Sequence, residues 1–317
     1  MKKFILIDGN AILHRAYHAM PGMTNSNGQL VNAVYGFFSM LLNLLYEQKP
    51  EYLVIAFDRS KPTIRQSMYA GYHQHRPPMD GELSSQVILI DELLKKANIQ
   101  TASLEGYEGD DVIGTFATQA QDGDGIETIV VTGDRDMLQL VNDHTKVLMT
   151  ITGLTKTALF DEAMVEEKYG VRSSQFVDYK ALIGDQSDGY PGITGIGPKT
   201  ASSLLQKFGT FEALYEQIDK VPEKLALKLA TDAEQGALAK KLAAIICDAP
   251  IRLDLKASEV GNIDLYALRG GFSEHNFKSL ILRLDGKYPQ VLRQAQDKPH
   301  SKKTKKEPED SGQMGLL

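Results

Sequence analysis

The chain has 317 residues, 42% of them hydrophobic and 24% charged, with a net charge of −6 and one cysteine, Cys247. That length and balance predict a soluble globular chain of two domains, or one large domain with an appendage, and exclude a wholly disordered, collagen-like or membrane-embedded one. A single cysteine excludes a disulfide framework and a cysteine-rich zinc site, and it suits a reducing compartment such as the cytoplasm. The negative balance alone argues against a partner that wants Lys and Arg, but removing the nine acids singled out below turns the remainder positive.

In chain order, residues 3–7 (KFILI) form a short β-type run that ends in Asp8-Gly9. The run is broken by Asp8 too early for a signal peptide, and no apolar stretch nears the roughly 20 residues that span a bilayer. A helical pattern covers 33–46, and a second strand, 52–57 (YLVIAF), ends in Asp58. Residues 59–79 carry Arg65, Tyr69, Tyr72 and Arg76 at spacings of 4, 3 and 4. These spacings place the four on one helical face, and Pro77-Pro78 ends that helix. Arginine for phosphate and tyrosine for base stacking suit single-stranded nucleic acid. The alternative is an amphipathic helix with its tyrosines on a core, for which the segment has little Leu, Ile or Val.

Helical patterns follow at 83–97 and 110–120, and strands at 127–131, ending in Thr132-Gly133-Asp134, and 146–151. Strands separated by helix-length patterns predict an α/β fold with a mostly parallel central sheet flanked by helices. From about Ser173 the pattern is helical, with Gly/Pro punctuation over 184–198. Residues 293–317 are polar until the last few and read as a disordered tail.

Acids collect in tight groups: Asp8; Asp58; Glu108, Asp110 and Asp111; Asp134 and Asp136; Asp185 and Asp188. Each group alone is explained by a turn or a helix N-terminus. Three strands ending in aspartate are more informative, because functional groups gather at the carboxyl ends of parallel strands. Magnesium takes few carboxylates directly and keeps several waters, so nine acids exceed the need of one ion. They suit two Mg²⁺ or Mn²⁺ ions, a pair that activates water and stabilises the leaving oxygen in phosphodiester cleavage.

Residues 192–201, GITGIGPKTA, form a tight glycine turn running into a helix with Pro198 at its first position. Gly195 and Gly197 let backbone N–H groups approach a phosphate, Lys199 adds a cation, and Thr200 lies in the first helical turn. This is the helix–hairpin–helix manner of holding a duplex without reading its sequence.

Taken together, the runs LIDGN, RAYHAMPGMTNSNG, VNAVYGF, YLVIAFD, IRQSMYAGY, HRPPM, EGDDVIGT, VVTGDRDMLQL and ALIGDQSD with PGITGIGPKTA resemble the 5′-nuclease (flap endonuclease) superfamily, and within it the 5′→3′ exonuclease domain of bacterial polymerases, over about residues 3–290. The resemblance implies a PIN-like nuclease core over 1–172 with a helical arch at about 59–85, then a helical DNA-binding region over 173–292. It implies Asp8, Asp58, Glu108, Asp110 and Asp111 around a first metal and Asp134, Asp136, Asp185 and Asp188 around a second, some through water. It further implies a K⁺ ion at the glycine hairpin, and Tyr72 and Arg76 as the arch tyrosine and arginine. The family usually carries lysine after the arch tyrosine; here the position is His73, a neutral group at pH 7 when unperturbed. Gly189-Tyr190 likewise replaces a common Asn-Ile.

The implied activity is a structure-specific 5′→3′ exonuclease or flap endonuclease, acting as a monomer on DNA with a 5′ flap or nick in replication and repair. Gln313-Met314-Gly315-Leu316-Leu317 resembles a sliding-clamp-binding peptide on a flexible tether; the same end equally suits a junction with a polymerase portion. Two other readings compete. A catalytically weakened DNA-junction binding module is favoured by His73. A haloacid-dehalogenase-type phosphatase is disfavoured, because no second Asp follows Asp8 by two residues.

Overall fold

The computed structural model describes residues 1–25, 27–59, 62–75, 79–123 and 125–288. Along the first half run β1 (Lys2–Asp8), α1 (Gly9–Ala19), α2 (Asn32–Gln48), β2 (Tyr52–Ala56), α3 (Ile64–Met68), α4 (Gly81–Lys96), β3 (Thr101–Ala102), α5 (Gly109–Ala120), β4 (Ile126–Thr132), β5 (Thr145–Thr152), β6 (Lys156–Phe160) and α6 (Glu162–Tyr169). The second half holds α7 (Phe176–Ile183), the two-residue strands β7 (Gly184–Asp185) and β8 (Tyr190–Pro191), α8 (Pro198–Phe208), α9 (Phe211–Glu216), α10 (Glu223–Thr231), α11 (Ala233–Ala243), α12 (Leu265–Glu274) and α13 (Lys278–Lys287).

The main sheet has the order β3-β2-β1-β4-β5-β6, parallel throughout except for the β5/β6 hairpin. Its central strands carry unbroken apolar runs at 4–7, 52–56 and 129–131 because both faces are covered. Side chains alternate across the sheet. Phe4, Leu6, Val54 and Val130 enter one core with α5, α7 and α8. Ile5, Ile7, Leu53, Ile55 and Val131 enter the opposite core with α1, α2, α4, α12 and α13. The four expected strands are present; β3 and β6 are additional.

Register sets up the site. Asp8 pairs with Ala56 on β2, and Ile7 with Val131 on β4, so the three strands end at the same level. The chain winds outward in opposite directions from β1, leaving a crevice at the strand ends where Asp8, Asp58 and Asp134 stand.

One expected element differs. The helix predicted across Arg65 to Arg76 stops at Met68: Tyr69 is extended and residues 70–75 are turns. The stripe of four side chains on one face does not form, and Arg76 lies outside the described residues, as do residues 289–317 with the pentapeptide Gln313–Leu317. Among the described residues no helix is long and apolar enough to cross a membrane.

Candidate active site

Asp8 terminates β1 and also caps α1. Its Oδ1 accepts from Ala11 N at 2.9 Å and its Oδ2 accepts from Thr132 Oγ1 at 2.7 Å. The same Thr132 hydroxyl accepts from Asp134 N at 2.9 Å, so one threonine fixes two site acids. Asp58 is held by Gly109 N at 2.6 Å and by Asn10 Nδ2 at 3.0 Å. Asp136 N donates to Asp134 Oδ1 at 2.8 Å, tightening the turn after β4. Asp185 sits on β7 and Asp188 in the turn to β8.

These elements enclose a cavity of about 320 Å³ whose lining includes Asp8, Asp58, Glu108, Asp110, Asp134 and Asp188, together with Asn10, Thr63, Tyr72 and His73. Next to it, one carboxylate oxygen each of Asp136, Asp185 and Asp188 lie within 4.8 Å of one another. Asp188 joins the two groups. Eight of the nine expected acids therefore converge.

The ninth does not line the cavity. Asp111 is 1% exposed. Arg65 Nη1 and Nη2 reach its two oxygens at 2.9 and 2.8 Å, Ile246 N donates to Oδ1 at 2.9 Å, and Glu108 N donates to Oδ2 at 3.1 Å. With both oxygens taken, its role as a metal ligand is corrected to a structural one. Arg65 is corrected with it. Only 3% exposed, its guanidinium also donates to Glu108, Leu242 O and Ala244 O. A guanidinium already spent on two carboxylates and two carbonyls has no donors for a phosphate.

Tyr72 is buried, stacks on Tyr190 and His73, and donates to Glu108 Oε2 at 3.1 Å. His73 Nε2 lies 3.2 Å from Asp188 Oδ1.

The electrostatics record crowding of like charge. Burial, then the charges of Asp58 and Asp134, push Asp8 up to about 7 against the pull of its hydrogen bonds. Burial and Asp134 push Asp136 up to about 7 despite Lys180. Asp110 and Asp134 are raised by burial and their acidic neighbours. Asp185 goes the other way: burial is outweighed by hydrogen bonds from Lys180 and Ser187. Lys180, on α7, was not singled out by the sequence. Its Nζ is 2.5 Å from Asp136 Oδ1 and also contacts Asp185. Its place five residues before Asp185, on a helix leading into β7, is the signal that could have found it.

The glycine turn follows β8 in the chain. Ile193 and Ile196 anchor it in the core. Thr194 N donates to Asp232 Oδ2 at 2.7 Å, and Lys228 Nζ donates to Gly195 O at 3.2 Å. Gly195 has φ +72, a left-handed conformation that glycine adopts without steric cost. Gly197 is the N-cap of α8, Pro198 opens it, and Lys199 and Thr200 follow in its first turn, with Lys199 exposed.

Comparison with known proteins gives a consistent picture. Residues 3–170 match the 5′-3′ exonuclease N-terminal resolvase-like domain, and residues 171–266 match the 5′-3′ exonuclease C-terminal SAM fold. DNA polymerase I of Caldicellulosiruptor bescii is 40% identical over 89% of this chain and 33% of its own length. DNA polymerase I of Bacillus subtilis is 40% identical over 89% and 32%. The chain thus spans about a third of the length of the curated relatives it matches. Among solved structures, the bacteriophage T5 flap endonuclease in a pseudo-enzyme-product complex with DNA and metal ions is similar, with a TM-score of 0.64 at 16% identity over 93% of this chain and 100% of that one. Human GEN1 in complex with Holliday junction DNA gives a TM-score of 0.62 at 15% identity over 94% and 75%.

Proposed function

The chain belongs to the 5′-3′ exonuclease family, and from that premise we propose that it hydrolyses DNA phosphodiesters at 5′ flaps or nicks with two divalent ions, Mg²⁺ or Mn²⁺, in replication and repair. The observation that carries the proposal is the convergence of eight carboxylates on one cavity and its flank. The donor set fits the ions. Its carboxylates offer oxygen, they are held by backbone and threonine hydrogen bonds, and burial together with crowded like charge raises Asp8 and Asp136. Asp8, Asp58, Glu108 and Asp110 would hold one ion; Asp134, Asp136, Asp185 and Asp188 would hold the other. When bound, such ions lower the pKa of water and stabilise the departing oxygen.

The chain's own residues supply position. Thr132 and Asn10 aim Asp8, Asp134 and Asp58. The glycine turn offers the duplex N–H groups of Gly195 and Gly197, the α8 N-terminus and the Lys199 cation. A K⁺ ion at that turn, a sliding clamp at Gln313–Leu317, an accompanying polymerase portion, a cytoplasmic monomer, and roles for His73, Tyr72 and Arg76 at the reacting phosphate all belong to the same proposal.

The test is Asp134→Ala combined with Asp136→Ala, assayed on a 5′-flap duplex with and without Mg²⁺. Cleavage is expected to vanish while DNA binding survives. Cleavage at the unmodified rate would overturn the metal assignment. Binding without metal-dependent cleavage by the unmodified protein would instead favour the junction-binding module.

A further inference from the structure

Residues 71–73 dock on residues 188–190 with little freedom. His73 N donates to Asp188 O at 2.8 Å, and His73 has φ +57, a left-handed conformation that histidine adopts more readily than most residues. The opposite wall must be glycine: Gly189 has φ +80, and a Cβ there would meet Gly71 O at 2.7 Å. The imidazole is then fixed in orientation. It stacks on Tyr72 at 3.9 Å between ring centroids and 26° between planes, and Tyr72 is itself tied to Glu108. The ring edge is thereby presented to the acidic cavity, with Nε2 at 3.2 Å from Asp188 Oδ1 and with Glu108, Asp110 and Asp134 on the same lining.

Two neighbouring donors on one octahedral ion, each about 2.1 Å from it, are about 3 Å apart. The Nε2–Oδ1 separation matches that spacing; in the metal-free chain it is a hydrogen bond, and an ion held by both atoms would take the place of the proton between them. A neutral imidazole offers a lone pair, and nitrogen donors favour Mn²⁺ and Co²⁺ over Mg²⁺, which holds to oxygen. We propose that His73 is a nitrogen ligand to the divalent ion bound by Asp188, and that it shifts the metal preference of the site toward manganese-like ions.

This rests on the metal-dependent reading of the cavity, and the experiment separates the two. Mn²⁺ is bound to the full chain without DNA, its affinity is measured from the free-ion paramagnetic resonance signal, and the bound ion is examined by electron spin echo envelope modulation. A ¹⁴N modulation is expected, replaced by a ¹⁵N one when only the histidines are ¹⁵N-labelled. In His73→Gln the modulation is expected to disappear and Mn²⁺ affinity to fall about tenfold. Mg²⁺ affinity, measured by competition, is expected to stay within about twofold. His14→Gln, at the other histidine lining the cavity, is expected to keep the modulation. Bound Mn²⁺ without histidine modulation, or modulation that persists in a folded His73→Gln protein, overturns the ligand role and leaves the nuclease reading standing. Failure to bind Mn²⁺ at all overturns both.

Discussion

Asp8 and Asp136 each hold a proton to about pH 7, against an ordinary value of 3.8. The folded chain without metal therefore binds more protons than the unfolded chain between about pH 4 and 7. Stability must fall as pH rises through that window, since the unfolded state is then favoured by losing protons the fold retains. In a chelator the Tm is expected to be higher at pH 6 than at pH 8, and saturating Mg²⁺ at pH 8 is expected to recover the difference. A Tm that drops from pH 8 to 6 in chelator would contradict this. Lys180 offsets part of the same crowding, since its ammonium bridges Asp136 and Asp185 while 7% exposed. Removing one partner of a buried pair costs about 3–5 kcal/mol. Lys180→Met is expected to lower the urea midpoint of the metal-free protein and to be stabilised by Mg²⁺ more than the unmodified chain; equal stabilisation would show that the ammonium and the ions do not share the site. At this scale the acids at strand ends were legible, because a strand's carboxyl end fixes where its last side chain stands. Lys180 was not, because a single lysine on an apolar helix looks the same whether it faces water or a carboxylate.

The turn after α3 shows how an element is decided by its partners. Spacing alone supports a helix from Arg65 to Arg76, yet Arg65 is drawn inward by Glu108 and Asp111 at the start of α5 and by carbonyls at the end of α11. That buried arginine locks three elements that are distant in sequence, and helical periodicity carries no information about such a partner. Arg65→Met is expected to cost about 3–5 kcal/mol in urea unfolding, through the stranded carboxylates. A loss below about 1 kcal/mol would mean that water replaces the guanidinium. Gly189→Ala tests the other side of the same junction. The added methyl meets Gly71 O at 2.7 Å in a backbone with φ +80, so the 71–73 turn is expected to lift. Fluorescence of a probe on the exposed Gln74 should then report a mobile turn, while the Tm falls by only a few degrees. An unmoved turn would show that the loop at 189 yields instead.

The whole molecule is closed by its C-terminal helices, which return to the first half of the chain. Val260 N donates to Glu51 O and Leu53 N to Ser258 O, both at 2.8 Å, placing the 258–260 segment along β2. Leu268, Phe272, Leu280 and Leu284 are fully buried in the core beneath α2 and α4. The amphipathic pattern of 265–287 shows that these helices bury a face but not against what, since the surface they cover, on α2 and α4, lies far earlier in the chain. A division near residue 172, drawn where strands give way to helices, therefore says nothing about how the parts depend on each other for stability. Each fully buried large apolar side chain contributes about 1.5–3 kcal/mol, so the four together rival the whole stability of a typical domain. Ending the chain at residue 263 is expected to expose the α2 and α4 face and to unfold the acidic site with it, although no acid is removed. The intact chain is expected to melt in one calorimetric transition, and the shortened chain to bind a hydrophobic dye and to lose Mg²⁺-dependent stabilisation. A shortened chain that kept both its Tm and its response to Mg²⁺ would show that α1, α2 and α4 complete the core without α12 and α13.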